Sequence, residues 1–415
     1  MSTVGIIAEF NPFHRGHEYI IGEARRITGA DRCIAVMSGN FVQRGEPAVC
    51  DKFLRTRMAL SCGVDAVFEL PVPYATGSAE IFAEAGIKLL ASLGCVDYVA
   101  FGSECGDLEA IMRIAEILVN EPDAYKDLLK TELKKGASFP AARSAALSAI
   151  LPEASSVINT PNNILAVEYC KAIIKMRKYF GDRLHIPTPV TIRRIGSDYS
   201  ARSIDDSGFA SALSIRGALC LMSENTPDFA EIAGLLPSCS FEAIKASFKN
   251  GLPIEADDLS DMLHIRLATI SDDELNATAD VTGDFANAVR KYTGPVPAVS
   301  FTRMCETLKT KNITYSAVSR ALLHIVLGID KRHTGLLKNS AVLPYARLLG
   351  FNPQSSDILR IVSDNPDCIL ITKLGDARAA LASDAESLAL FETDLRAGAV
   401  YNQLIHTKFA TPVKN

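Results

Sequence analysis

The chain lacks the sequence patterns that mark several common kinds of protein. None of its 415 residues lies in a run long and apolar enough to span a bilayer, and no basic region or cleavage site precedes the first apolar segment. The ten cysteines occur in no CxxC pair or other metal-ligand spacing, so we expect reduced thiols and no metal site. Walker A and GxGxxG motifs are both missing, which excludes the usual P-loop and dinucleotide sites. These absences predict a cytoplasmic protein with no membrane contact.

The composition is that of a well-packed globular chain. Hydrophobic residues make up 48% and charged residues 22%, and the length suffices for two or three domains. The formal net charge of -5 argues against indiscriminate binding of nucleic acid, although a local basic surface is compatible with it.

Apolar strand-like runs alternate with helical periodicity in the first half of the chain. This alternation predicts an α/β fold, namely a Rossmann-like parallel sheet with helices on both faces in a catalytic domain over residues 1–240. A helical insertion is expected at about 121–148, and amphipathic patterns predict a mainly α-helical C-terminal domain over 241–415. The expected strands are 4–10, 33–38, 66–70, 98–102 and 190–195, and the expected early helices are 17–27, 52–62, 78–93 and 108–118.

The segment GIIAEFNPFHRGH at residues 5–17 carries the strongest functional signal. It runs from an apolar strand through a turn into a helix that carries His14 and His17 on either side of Gly16. A helix N-terminus after the first strand attracts phosphate through free N–H groups and the helix dipole, and two imidazoles add donors. The alternative is that the two histidines only cap the helix.

The motif His14-Arg15-Gly16-His17 resembles the phosphate motif of the HIGH-type nucleotidyltransferase superfamily. Together with later segments it resembles the bacterial tRNA(Met) cytidine acetate ligases, strongly over residues 1–220 and weakly beyond. The segments that carry this resemblance are SGNFVQRGEPA at 38–48, FELP at 68–71, FGSE at 101–104, PNNILA at 161–166 and RR at 193–194.

The resemblance implies an ATP site, with Mg²⁺ left open as the counter-ion of ATP. The residues expected to bind ATP are Ile7, Ala8, Glu9, Phe10, Asn11, Pro12, Phe13, His14, Arg15, Gly16, His17, Glu18, Tyr19, Ile20, Gly102, Asn162, Arg193, Arg194, Ser214 and Arg216.

His14, His17, Arg44 and Lys52 are the expected catalytic residues. Arg44 lies in a loop beyond the second strand, where a guanidinium could meet phosphate or carboxylate, unless this loop is an ordinary polar turn. Lys52 starts a predicted helix and has a solvated lysine as its alternative.

The string Ser211-Ala212-Leu213-Ser214-Ile215-Arg216 resembles the second phosphate motif of the superfamily, ISSTxIR. Leu213 stands where a hydroxyl is usual. That departure weakens hydrogen bonding at this position but keeps Ser214 and Arg216 as candidates.

Eight basic residues between 301 and 349 form a local excess of positive charge. This excess predicts either an RNA contact or a solvated helix surface, and the resemblance favours RNA. The eight are Arg303, Lys309, Lys311, Arg320, Lys331, Arg332, Lys338 and Arg347, against only Glu306 and Asp330.

The function that the resemblance implies is ATP-dependent ligation of acetate to the wobble cytidine of elongator tRNA(Met), with acetyl-adenylate as the intermediate. Elongator tRNA(Met) and acetate are the expected partners, and the oligomeric state stays open. Two alternatives remain at this point: a mononucleotide adenylyltransferase of cofactor biosynthesis, which shares the phosphate motifs, and a noncatalytic RNA-binding protein with a relict nucleotide fold.

Overall fold

A computed structural model describes residues 2–195, 210–224, 229–248, 251, 253–293 and 298–410. In these residues the strands are β1 Thr3–Ala8, β2 Arg32–Ser38, β3 Phe41–Val42, β4 Glu46–Pro47, β5 Ala66–Leu70, β6 Tyr98–Ser103, β7 Thr188–Arg193, β8 Tyr345–Phe351 and β9 Ile369–Ile371.

Seven of these strands form one sheet in the order β7-β6-β1-β2-β5-β8-β9. The strands from β7 to β5 in this order are all parallel, β8 pairs antiparallel with β5, and β9 is parallel to β8. Since β2 and β6 flank β1 on opposite sides, the connections from the carboxyl ends of β1 and its neighbour diverge. This is the place in an open α/β sheet where a ligand binds.

Helices cover both faces of the sheet, which confirms the predicted α/β class. One core holds the apolar side chains of α1, α2, α10 and α12, and the other those of α4, α5 and α9. The α-helices are α1 Arg15–Thr28, α2 Lys52–Ser61, α3 Val72–Ala75, α4 Ala79–Ser92, α5 Leu108–Asn120, α6 Asp123–Lys134, α7 Phe139–Ile150, α8 Ala154–Val157, α9 Pro161–Phe180, α10 Ala212–Glu224, α11 Ala230–Ala233, α12 Ser238–Phe248, α13 Ser260–Thr269, α14 Asp272–Ala277, α15 Gly283–Val289, α16 Phe301–Leu308, α17 Tyr315–Leu327, α18 Lys331–Asn339, α19 Ser356–Asp364, α20 Leu374–Ala380 and α21 Ala385–Ala410.

The first strand ends earlier than predicted. The apolar pattern favours a strand through residue 10, but β1 stops at Ala8. Phe10 has φ = 48°, a left-handed conformation that an aromatic residue rarely adopts and that an extended strand cannot contain. The helix then begins at Arg15 with His14 as its N-cap, so the strand-to-helix turn is short and the motif lies within it.

The C-terminal half contributes two strands that the sequence pattern does not predict. β8 and β9 extend the sheet beyond β5. The pattern was misleading because β9 has only three residues and β8 places the charged Arg347 within an apolar run. α6 and α7 occupy the segment predicted as a helical insertion. The boundary at residues 240/241 stays a proposal.

Most of the remaining C-terminal helices pack around a core of their own. That core also takes in Phe41 from β3 and Val72 from α3. Gly45, in the turn between β3 and β4, has φ = 81°, and a Cβ there would lie 2.3 Å from the backbone nitrogen of Arg320 on α17. The Ser319 hydroxyl donates to the Gly45 carbonyl over 2.9 Å. The turn between β3 and β4 therefore rests directly on the backbone of α17.

In the part of the chain that the structure describes, the helices are all too short or too polar to cross a membrane.

Candidate active site

A cavity opens at the carboxyl edge of the sheet, beside the ends of β1 and β6. It encloses about 1110 Å³ of empty space, counting its mouth. Thirteen of the predicted site residues line it, so motifs from distant parts of the chain converge there. They are Ile7, Ala8, Glu9, Phe10, Asn11, His14, His17, Ile20, Arg44, Gly102, Asn162, Arg194 and Arg216.

His14 and His17 form a stacked pair at the start of α1. Their ring centroids lie 3.8 Å apart. The Nδ1 of His14 accepts the Gly16 N–H over 3.0 Å, and the Nδ1 of His17 accepts the His14 N–H over 3.3 Å. A Cβ on Gly16 would lie 2.8 Å from the His14 ring, which explains the glycine between the histidines. The capping alternative is thus correct for both Nδ1 atoms, and it leaves Nε2 of each ring for another partner.

Both imidazoles are neutral at physiological pH. Burial, followed by the charges of Arg194 and Arg216, lowers the pKa of His14 to about 3. Burial, followed by His14 and Arg194, lowers the pKa of His17 well below its usual value. In a neutral ring whose Nδ1 accepts a hydrogen bond, the proton lies on Nε2. Each histidine can therefore donate one hydrogen bond to an anion in the cavity.

Two arginines bring positive charge to the same cavity from separate elements. Arg194 follows β7, and Arg216 lies on α10. Arg216 donates from Nη1 to the Asn11 carbonyl over 2.9 Å, and its nearest carboxylate, that of Glu46, lies 3.7 Å from Nη2. Both charges lower the pKa of His14, so they act on the space beside the imidazoles. A phosphate there would meet two guanidinium groups and two neutral N–H donors.

Asn11 supplies an unused donor in the described part of the chain. Its Oδ1 accepts the Val49 N–H over 2.9 Å, whereas its buried Nδ2 has no hydrogen-bond partner. A buried amide group without a partner costs about 1–3 kcal/mol. Because Asn11 lines the cavity, a bound oxygen ligand would remove that cost. The donor set as a whole therefore fits the phosphates of a nucleotide.

Gly102 and Asn162 lie on the β6 side of the cavity. A Cβ at Gly102 would lie 3.1 Å from side-chain carbons of both Ile20 and Arg194, so a larger residue would displace groups of the site. The Asn162 side chain donates to Glu104 over 2.6 Å. Glu104 also accepts the Asn163 N–H over 2.8 Å, so this carboxylate orients the start of α9.

Some predicted site residues lie outside the cavity. Phe13 is part of the core, and Arg15 and Glu18 are exposed. Ser214 donates its hydroxyl to the Ser211 carbonyl over 2.8 Å, while Leu213, the departure from the family motif, lines the cavity. Pro12, Gly16, Tyr19 and Arg193 are also absent from the lining. Any contact of these residues with ATP stays a prediction.

Lys52 is placed in a different environment from the one predicted. It is 4% exposed and forms an ion pair with Glu69 on β5. Glu69 also pairs with Arg347 of β8 at 2.9 Å. Lys52 is therefore neither a solvated lysine nor part of the cavity lining, and its catalytic assignment has no support from its position.

Ten residues of the lining were not predicted. Gln43 adjoins Arg44, and Phe101 adjoins Gly102. Leu165 and Tyr169 lie three and seven residues after Asn162, on one face of α9, and this helical spacing was a usable signal. The others come from elements whose packing brings them in, and they are Ile6, Ile21, Phe82, Ala100, Ala212 and Leu213. Among the described residues, no three His, Cys, Asp or Glu side chains are grouped to hold a metal ion.

Fold and site together define an α/β nucleotide-binding protein with a phosphate motif between its first strand and first helix. A family model described as HIGH Nucleotidyl Transferase matches residues 1–414. A tRNA(Met) cytidine acetate ligase of Clostridium perfringens is 36% identical over 97% of this chain and 96% of its own length. Another, of Caldanaerobacter subterraneus subsp. tengcongensis, is 38% identical over 99% and 97%. The chain belongs to the HIGH nucleotidyltransferase family, and within it to the tRNA(Met) cytidine acetate ligases.

Solved structures agree with this placement. The apo structure of Thermotoga maritima TmcAL superimposes with a TM-score of 0.88 at 31% identity, covering 99% of this chain and 98% of that one. The structure of the same protein bound with alpha-thio ATP gives a TM-score of 0.84 at 31% identity, with coverage of 99% and 97%.

Proposed function

We propose that this chain is an ATP-dependent ligase that activates acetate as acetyl-adenylate and transfers the acetyl group to the wobble cytidine of elongator tRNA(Met). The observation that carries the proposal is the cavity itself: two neutral imidazoles at a helix start, Arg194, Arg216 and the unpartnered Asn11 amide converge on one space. That donor set belongs to a chain 36–38% identical to curated ligases of this name.

In the first step the acetate carboxylate attacks the α-phosphate of ATP and pyrophosphate leaves. Acetate is already an anion, so no base is needed, and the barrier lies in bringing two anions together. Donors that are already in place relieve that repulsion without reorganising during the reaction. We assign this role to the Nε2–H groups of His14 and His17 and to Arg194 and Arg216. Arg44 lines the same cavity and is the candidate for the acetate carboxylate.

In the second step the exocyclic amine of cytosine attacks the acetyl carbonyl of the adenylate and AMP leaves. The lone pair of this amine is delocalised into the ring, so a free carboxylate does not acylate it, whereas a mixed anhydride does. The adenylate has to be shielded from water until RNA binds. Only part of the lining is open to solvent, since His14 is 5% exposed and Phe10 1%.

The C-terminal half is our candidate for the tRNA contact. Its helices pack against the turn between β3 and β4, which borders the cavity through Gln43 and Arg44. This arrangement supports delivery of the RNA to the side of the cavity where Arg44 lies. A tRNA substrate also places the reaction in the cytoplasm.

The direct experiment supplies purified protein with ATP, isotopically labelled acetate and unmodified elongator tRNA(Met). We expect one acetyl group on the wobble cytidine, release of AMP and pyrophosphate, and no requirement for acetyl-coenzyme A. Nuclease digestion and mass spectrometry locate the label. Absence of label in cytidine, with ATP consumed only when a mononucleotide acceptor is added, would support an adenylyltransferase instead.

A further inference from the structure

Glu9 places a carboxylate in a cavity whose other polar groups suit phosphate. It follows the last residue of β1 and lines the cavity together with Asn11, His14 and His17. A carboxylate repels the phosphates of a nucleotide, so nucleotide binding alone does not account for a glutamate at this position.

The structure holds Glu9 firmly while leaving one of its oxygens unused. Its Oε1 accepts the Gln43 N–H over 2.9 Å, and Arg55 donates to its backbone carbonyl over 2.6 Å. Arg55 also donates to the Ser38 carbonyl over 3.0 Å, which fixes the ends of β1 and β2 to each other. Within the described residues, Oε2 of Glu9 has no hydrogen-bond partner, and it is not among the fully buried polar atoms. That oxygen is therefore open to the cavity.

The groups around Glu9 leave its carboxylate with an unusual affinity for protons. Burial raises its pKa above the ordinary value, the Gln43 hydrogen bond and Arg216 oppose this rise, Glu46 adds to it, and Arg44 opposes it. From α9, Tyr169 also faces this carboxylate, since the pKa of the phenol is raised by burial and then by the charge of Glu9. A carboxylate in such surroundings is a better proton acceptor than one in water.

We propose that Glu9 accepts the proton released by the exocyclic amine of the acceptor base when that amine is acetylated. The inference rests on the proposed function. The amine nitrogen forms a bond to the acetyl carbonyl carbon, the bond from that carbon to the phosphate oxygen breaks, and AMP leaves with those electrons. One amine proton passes to the free oxygen of Glu9. The first half-reaction releases no proton, so Glu9 is a catalytic residue of the second half-reaction only.

The variant Glu9→Gln tests this assignment because its amide oxygen can still accept the Gln43 N–H. We would measure acetate-dependent exchange between ATP and pyrophosphate, and separately the single-turnover transfer to tRNA from chemically prepared acetyl-adenylate. Loss of a general base costs about 10²–10⁴-fold in rate. We expect transfer to fall at least about 100-fold more than exchange. Glu23→Gln, which removes a carboxylate on α1 outside the cavity, is the matched control.

The pH dependence supplies a readout that a purely structural role would not change. Glu9 accepts a proton only when ionised, so wild-type transfer should rise as pH increases through its raised pKa and then level off. In Glu9→Gln this rise should disappear. Because the charge of Glu46 raises the pKa of Glu9, Glu46→Gln should move the midpoint of the rise to lower pH.

Three results would overturn the assignment: equal losses of exchange and transfer in Glu9→Gln, wild-type transfer in that variant, or a pH profile identical to that of the wild type. Failure of the proposed function is distinguishable, because the wild-type protein would then neither exchange pyrophosphate with acetate nor acetylate tRNA from acetyl-adenylate.

Discussion

Two cationic regions of this molecule differ in what their charges contact. At the cavity, Arg216 binds a backbone carbonyl and has its nearest carboxylate 3.7 Å away. In the stretch 301–349, most of the cations are occupied within the protein. Arg320 pairs with Asp280, Arg332 with Asp330, Lys309 with Glu306 and Arg347 with Glu69, while Lys331 donates to the Asn276 carbonyl.

The difference shows that a count of charges along the sequence does not identify a ligand site. Arg347 lies in the basic stretch but is 6% exposed and neutralised by Glu69, so it cannot contact RNA without unfolding. In the described part of the chain, Arg303, Lys311 and Lys338 form no ion pair and are the better candidates. Charges that stay available at the cavity are those held by backbone groups rather than by carboxylates.

Replacing either histidine of the motif should cause the largest loss. His14→Ala or His17→Ala removes one donor from the space assigned to the phosphates, which costs about 10²–10³-fold in adenylate formation. Acetate-dependent exchange of pyrophosphate measures the loss, and thermal unfolding checks the fold. His185→Ala, an exposed histidine paired with Asp97, is the control. Wild-type exchange in both motif variants would disprove the phosphate assignment.

Lys52→Met should lower stability rather than adenylate chemistry. The change leaves Glu69 buried with Arg347 as its remaining cation, and breaking a buried ion pair costs about 3–5 kcal/mol. We expect a loss near about 3 kcal/mol in the free energy of unfolding, measured by urea denaturation, because Arg347 remains. Arg26→Ala, which breaks the exposed pair with Glu23, should cost less than about 1 kcal/mol. If folded Lys52→Met loses exchange activity while its stability is unchanged, the catalytic prediction regains its place.

Stability should fall as the pH drops below the ordinary histidine pKa. His14 has a pKa of about 3 in the folded chain, so between about pH 6.5 and 3 the unfolded chain binds one more proton at this residue. Stability is then lost by about 1.4 kcal/mol per pH unit for each such histidine. Urea unfolding at pH 7 and pH 5.5 should show a smaller loss in His14→Gln than in the wild type. Equal losses would mean that His14 is not buried in its neutral form.

Reversing unpaired charges in the basic stretch should have the smallest effect. Lys311→Glu with Lys338→Glu should weaken tRNA binding about 5–10-fold and lower its salt dependence by about one unit per lost phosphate contact. Lys331→Glu with Arg332→Glu should act in the same direction, since Arg332 is 91% exposed at its side chain. Arg320→Gln, which removes a charge already paired with Asp280, is the control. Filter binding across a salt series measures all three, and equal slopes would identify this surface as merely solvated.

The local part of the site could be predicted from the sequence. The strand, turn and helix around His14 and His17 are adjacent in the chain, so their types and spacing were sufficient to place a phosphate site there. Gly102, Asn162, Arg194 and Arg216 were found through ordered motifs at strand ends, and all of them line the cavity.

The rest depended on packing between distant segments. Phe82 enters the cavity from α4, and nothing in its own sequence neighbourhood distinguishes it from a core residue. Lys52 was misjudged because its partner Glu69 lies on another strand. β8 was missed because its pairing with β5 joins residues nearly 300 positions apart. Each of these features is created by a long-range contact that periodicity does not record.

The pairing of β5 with β8 also bears on how this chain can be divided in the laboratory. A fragment ending near residue 240 would contain the entire cavity lining but would expose the hydrogen-bonding edge of β5, from Ala66 to Leu70, along a buried apolar strand. Open edges of that kind recruit other chains and lead to aggregation. The same fragment would leave Glu69 without Arg347 and Phe41 without its helical neighbours. Expression of the catalytic half by itself should therefore yield insoluble material, and a usable shorter form has to retain the strand at 345–351.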